Sequence, residues 1–395
     1  MNTQRWNRIM ASAIMGLCLC STAEATITVN TTSDTGTDGD GACSLREAIT
    51  EVNTPTSTID CIGAPETIDF MLPDPSTITL SMDLPTLDRP VKITGPVSAS
   101  VVVSGNNSSF RIFQLLDSTG AFTISRLTIK DGSSGAGSGA ITLNTGNTLL
   151  LSDSTVTGSD GIGVFIGTTS ILNMERTTVD NNTGNGLQFA INSIGNITNS
   201  TISNNKGSGV LVETAAITML SSTVTLNDDA GLSNNGAAAV QNTILSENAG
   251  GNCTGTQPVT SLGYNLEDTN ICVFTNTGDL VDTNPLLGPL QNNGGPTLTH
   301  ALTGGIGASR AINAGVPTPA CGTAPFDVDQ RGAIRPDGSD CDIGAYERQP
   351  GDSRGGGSGS GCSSRAGKNA VFDPTLWILV LVSCIYLGYR RSYPS

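Results

Sequence analysis

The sequence predicts an all-β chain wound as a parallel β-helix. Three observations predict it. Segments of one pattern recur every 20 to 23 residues, each carries three short apolar clusters divided by Gly/Asn-rich corners, and hydrophobic residues, 37% of the chain, are spread thinly with only 4% aromatics. One such coil cannot bury its apolar positions alone, whereas stacked coils share a continuous core.

Taken in chain order, residues 1–25 read as an export signal. Arg5 and Arg8 precede an apolar run from Ile9 to Leu19, and Ala23-Glu24-Ala25 has the A-x-A form that signal peptidase cuts, placing cleavage after Ala25. The run is too short for a membrane span of about 20 residues. Leu19 stands where a lipoprotein box before Cys20 needs a small residue.

Residues 26–77 form an N-terminal cap, needed because an open end of a strand stack invites edge pairing. Within CSLREAI (43–49), Ser44 and Glu47 have capping-box spacing, predicting a short helix from about Leu45 to Val52. The same stretch admits calcium as its one candidate ligand, since Asp38, Asp40, Gly41 and Glu47 fall at EF-hand loop positions three, five, six and twelve. Gly36 occupies the first position, where a carboxylate is required, so turn plus cap is preferred.

The β-helix proper is expected over 78–255. The anchors Val156, Val179, Ile202, Val224 and Ile244 are spaced by 23, 23, 22 and 20 residues, and Ile171, Ile194, Ile217 and Ala239 lie fifteen residues beyond the first four. Gly163, Gly186, Gly209 and Gly231 follow seven after an anchor, at corners that need a positive φ or a tight backbone. Asn182, Asn205 and Asn227 share a column where amides can bond each other and the turn backbone. Upstream, 78–95 and 101–116 alternate alike, and 127–143 reads as a rung with an inserted loop. The LxxLxLxxN string of leucine-rich repeats is absent.

Residues 256–349 form a C-terminal region, 350–361 a Gly/Ser linker, and 362–395 a tail. Of ten cysteines, six lie between signal and tail, as Cys43 and Cys61, Cys253 and Cys272, Cys321 and Cys341. In an exported chain they read as disulfides, and local pairing is the simplest of fifteen connectivities. The tail holds Cys362, an apolar run of 14 residues from Leu376 to Tyr389, and Arg390 and Arg391 as a cytoplasmic stop.

TITVNTTSDTGTDGDGACSLREAI resembles the CSLREA domain of bacterial surface β-helix proteins. GYNL (263–266), DTNPLLGPLQNNGGPTLTHAL (282–302), AINAG (311–315), DQRGAIRP (329–336) and CDIGAYE (341–347) are similar to the choice-of-anchor Q domain. The tail, with its spacer, cysteine, FDPT string, short apolar helix and basic end, is similar to C-terminal sorting signals of the CTERM kind, closest to the JDVT type. These resemblances imply a right-handed, pectin-lyase-like β-helix with a disulfide-tied C-terminal cap and an apolar sorting helix. They also imply an intramembrane protease that cuts near Cys362 and an anchor joined there. An ordinary single-span anchor with an incidental cysteine is the alternative. Either way the protein is expected outside, in the envelope or at the cell surface, or released after processing.

With 34 acidic against 19 basic residues, a net charge of −15 excludes nucleic acid as a partner. No CxxC or Cys/His cluster suggests zinc. Catalysis needs a site, not a fold. Between residues 141 and 250 the basic residues are Arg176 and Lys206, the first sharing a column with Asp153 and the second with Asp160 and Asp228; no three carboxylates stack beside them. Asp180, Asp228 and Asp229 fall at corners, and His300 has no Ser or Cys elbow nearby. Asp329, Arg331, Arg335, Asp340, Asp342 and Glu347 form a dense group, read as a cap with internal ion pairs. The expectation is a non-catalytic surface protein, adhesin-like or structural, without cofactor or catalytic residues, meeting an extracellular surface or glycan. The alternative is a carbohydrate-active β-helix, either a polysaccharide lyase or hydrolase or a glycan-binding module.

Overall fold

The computed structural model describes residues 26–352 apart from 98–99, 108–109, 117–119 and 133–138. The export signal with Ala25 and the tail with Cys362 therefore lie outside the described residues. The chain winds three parallel sheets of ten, nine and seven strands, in each of which neighbouring strands come from successive coils. A representative coil runs from Thr178–Asp180 in the nine-stranded sheet, through Leu187–Phe189 in the seven-stranded sheet, to Ile194–Thr198 in the ten-stranded sheet.

The core is a set of columns. Ile78, Val103, Ile129, Val156, Val179, Ile202, Val224 and Leu245 stack in register and are buried. β-Branched residues suit this arrangement because their stiff side chains pack against the same residue about 4.8 Å away. Two polar ladders run beside it. Asn182, Asn205 and Asn227 each pass an amide hydrogen at 2.9 Å to the oxygen of the next asparagine, ending at Asn248, and that oxygen also accepts the preceding rung's asparagine N–H. Ser154, Thr177, Ser200, Ser222 and Thr243 form the second. Each hydroxyl donates to the carbonyl two residues back at 2.8–2.9 Å and faces a backbone N–H from the neighbouring rung. Both ladders satisfy buried backbone groups that corners would otherwise leave unpaired.

Several expectations are corrected. Of the two roles expected for glycines at the seventh position, the tight backbone is the one realised and not positive φ: a Cβ on Gly163, Gly186 or Gly209 would lie 2.7–2.8 Å from a backbone oxygen of the next rung. Left-handed backbone falls on columns of mostly other residues, one of them Arg126, Asp153, Arg176, Asn199, Ser221 and Asn242, all with φ between 46° and 56°. Ile171 and Ile194 pair with Ala216, not Ile217, and face outward; the inward column is Leu172, Gly195, Ile217 and Ala238. Gly195 there leaves room for the Phe189 ring, which a Cβ would meet at 2.5 Å. The last anchor is Leu245, one residue past Ile244. Each slip follows from a rung that loses one or two residues in its turns, which a fixed offset cannot track.

The stack also extends beyond 78–255. Thr26–Val29 and Ala64–Phe70 already pair in parallel within the ten-stranded sheet, and Val259–Ser261 and Leu266–Glu267 continue two sheets at the other end. Insertion of the helix between the first two strands breaks the repeat there. That helix, Leu45–Asn53, has the predicted capping box, with Leu45, Ala48, Ile49 and Val52 buried against the core that includes Ile27, Val29 and Ile68. The disulfides Cys43–Cys61, Cys253–Cys272 and Cys321–Cys341 are formed.

Candidate functional site

The outer face of the nine-stranded sheet presents two columns, Thr128, Thr155, Thr178, Thr201, Thr223 and Ile244 beside Lys130, Thr157, Asp180, Ser203, Thr225 and Ser246. From Thr178 onward the C-terminal region lies over this face. Thr178 donates to the Leu298 carbonyl at 2.7 Å, Thr201 to Gln330 at 2.6 Å, and Ala345 N–H donates to Thr223 at 3.1 Å. Where threonine gives way to Ile244, the contact becomes apolar, with Leu266, Leu302, Ala311, Ile343 and Tyr346. The region thus roofs the flank of the stack in addition to following its last coil.

Under that roof the structure joins residues that sequence reasoning kept apart. His300 Nδ1 donates to the Gly288 carbonyl at 2.8 Å, so Nε2 accepts from the Ser203 hydroxyl at 2.9 Å. Burial holds the imidazole below its usual range. Asp180, one rung from Ser203, sits at a strand end and not in a turn; one carboxylate oxygen takes the Asn181 amide and the other has no partner. Burial pushes it up to about 6. A Ser–His pair beside a carboxylate suggests acyl transfer, yet His300 spends Nδ1 on a carbonyl, and Ser203 and His300 are 0% and 2% exposed, closed to substrate. Ser203 lies 97 residues from His300, and no local pattern links them.

The dense charge group is internally paired. Arg335, fully buried, donates to Glu347 at 2.9 Å and to the carbonyls of Val328, Asp342 and Gly344. Glu347 also accepts N–H from Asp337 and Asp342, while Arg331 pairs with Asp329 and stacks 3.8 Å over Tyr346. Burial, reinforced by the Glu347 charge, pushes Asp342 up to about 7. Asp340 accepts the Thr318 N–H on the surface.

Elsewhere, Arg176 holds Asp153 through Nε at 2.7 Å, and Lys206 holds Asp228 at 2.8 Å. Asp160 accepts from Thr183 and Asp229 from Ser208. The calcium candidates do not converge: Glu47 is folded into the capping box, while Asp38 and Asp40 accept backbone N–H groups of Ile59 and Ala42. Among the described residues no three acidic, His or Cys side chains could hold a metal. A shallow hollow of about 460 Å³ opens on the ten-stranded sheet, floored by Ala216, Ala237 and Ala239 and walled by Pro258, with no ionisable lining.

A family model described as a right handed beta helix region matches residues 94–249 and 139–281. The fold of this chain is a right-handed parallel β-helix. Among solved structures, a crystal structure of pectate lyase Pel9A is similar over 83% of this β-helix chain and 98% of that one, at 14% identity and a TM-score of 0.43. At that TM-score the likeness carries no inference about activity. No curated protein matches.

Proposed function

We propose that this is an exported, envelope-anchored β-helix displayed at the cell surface, adhesin-like or structural, and not a catalyst. The observation that carries the reading is the fate of the ionisable groups: His300, Arg335, Glu347, Asp329 and Arg331 are held within the roof and spent on one another, on Ser203 or on backbone. A catalytic group must instead face a space that substrate can enter. Three disulfides support passage through an oxidising compartment. In this reading signal peptidase cuts after Ala25, an intramembrane protease acts near Cys362, and the repeating polar faces meet another surface or matrix.

The test is intact mass spectrometry of protein from the envelope and the medium of its own cells, beside a Cys362→Ala variant. Chains that start at Thr26 and end near an enlarged Cys362, with the variant keeping its tail, are the expected result. A chain complete to Ser395 with unmodified Cys362 removes the sorting part of the proposal. Cleavage of a polysaccharide by the purified protein, lost on replacing a defined carboxylate, removes the non-catalytic part. The second reading, a carbohydrate-active β-helix, draws on the open alanine-floored hollow, and a glycan array with product detection separates the two.

A further inference from the structure

The roof covers part of the nine-stranded sheet and leaves the outer face of the ten-stranded sheet open, where Ile194, Asn196, Ala216 and Ala237 are exposed. In the first outward column of that face, Ile171 and Ile194 give way to Ala216 and Ala237 on the next two rungs. The isoleucines stand up from the sheet, and the alanines floor the hollow of about 460 Å³. A second column runs beside it from Leu150 through Asn196 and Thr218 to Thr260. Along the far edge Glu175 is held by Arg176 at 3.1 Å, and Leu220 packs against Val316 and Phe326. Among the described residues, Glu175 is the one ionisable group at an outward position of the strands between Thr148 and Gln241.

We propose that this face docks a second copy of the chain, related by a two-fold axis roughly parallel to the strands and lying between Ile194–Thr198 and Ala216–Leu220. That operation lays each column on itself in reverse rung order. Ile194 of each copy then seats on the partner's Ala216, Ile171 on the partner's Ala237 and Leu150 on the partner's Thr260. A patch that carries both knob and hollow is self-complementary, as a two-fold dimer requires. Charge selects the same partner: copies that each carry −15 repel wherever acidic groups meet, and on this neutral strip they approach without burying an unpaired charge. Successive rungs about 4.8 Å apart, from Thr148–Ser152 to Val259–Ser261, and strands of about 3.3 Å per residue make a face of roughly 29 by 17 Å. Two such faces bury roughly 1,000 Å², the lower bound for a specific interface, so a weak dimer with a micromolar Kd is expected. This goes beyond surface display, and association in solution does not depend on where the cell keeps the protein, so either reading can fail alone.

The experiment is analytical ultracentrifugation, from sub-micromolar to high micromolar concentration, of protein purified from cells expressing the full chain. Two variants, Ile194→Lys and Ala216→Glu, place unlike charges at exposed positions that face each other across the axis. Expected are a monomer–dimer equilibrium for the unaltered protein, association at least roughly tenfold weaker for each variant alone, and recovery in an equimolar mixture of the two, where ammonium meets carboxylate. An unaltered protein that stays monomeric throughout overturns the proposal and leaves the face to another occupant. A variant that associates as tightly as the unaltered protein puts the contact elsewhere and overturns it too, as does a mixture no tighter than its components. Recovery in the mixture cannot come from misfolded chains, and the unaltered protein is tested without any substitution.

Discussion

Between residues 154 and 252 the buried polar side chains of the two ladders have like neighbours one rung away: amide on amide, hydroxyl facing backbone at fixed register. Between 287 and 347 they have unlike partners that do not repeat, such as Gln330 with Thr178 and Thr201 or Arg335 with Glu347. The first region tolerates change because its energy is divided among repeats that contact only their neighbours. The second depends on a few desolvated groups, each of which becomes an uncompensated buried charge if its partner goes. The disulfides follow the same division, lying at the two ends and in the roof while the middle rungs have none.

The sharpest way to break this contrast is Glu347→Ala, which strands the buried Arg335 guanidinium and should cost about 3–5 kcal/mol. Limited proteolysis should then cut within 287–347 while the rungs stay intact; simultaneous loss of both regions would show that the roof holds the stack together. Removing Cys253–Cys272 by a double Ser replacement should cost about 3 kcal/mol, confined to the last coil. Hydrogen exchange is expected to rise after residue 253 and remain unchanged at 154–227. Asn205→Ala interrupts the ladder at one rung and should cost about 1–3 kcal/mol, read by urea unfolding, because the Asn182 N–H and amide lose their acceptor.

Asp180 tests the boundary between the regions through pH. Its folded-state value, about 6, lies above the ordinary 3.8, so its favourable contribution is present below pH 4 and lost as pH rises through 6. Asp180→Asn should therefore raise the melting temperature at pH 8, by the equivalent of about 1–2 kcal/mol, and lose the advantage near pH 4. A gain equal at both pH values would assign the effect to packing. The smallest change is expected from Lys206→Ala, whose partner Asp228 is as exposed as itself; calorimetric melting should register under about 0.5 kcal/mol.

What the sequence determined by itself is whatever repeats. Val156, Val179 and Ile202 fixed the register, Asn182, Asn205 and Asn227 the amide ladder, and the Arg176–Asp153 and Lys206–Asp228 pairs followed from the same columns. In a parallel stack, neighbours in space sit one period apart in sequence, so periodicity reads contacts directly. Ser44 and Glu47 were legible for a related reason, since a capping box is local. The hydroxyl ladder is equally legible in the STV, TTV and STI strings, which recur with the same period.

Tertiary structure alone decided the rest. The outward turn of Ile194 and the shift from Ile244 to Leu245 came from turns that shorten without altering the strands. The meeting of Ser203 with His300, and of Thr201 with Gln330 across 129 residues, came from a segment without a period folding back over one that has it. Such contacts are set by shape and desolvation at a single place in the fold. No repeated pattern marks them, and they decide that groups such as His300 are buried.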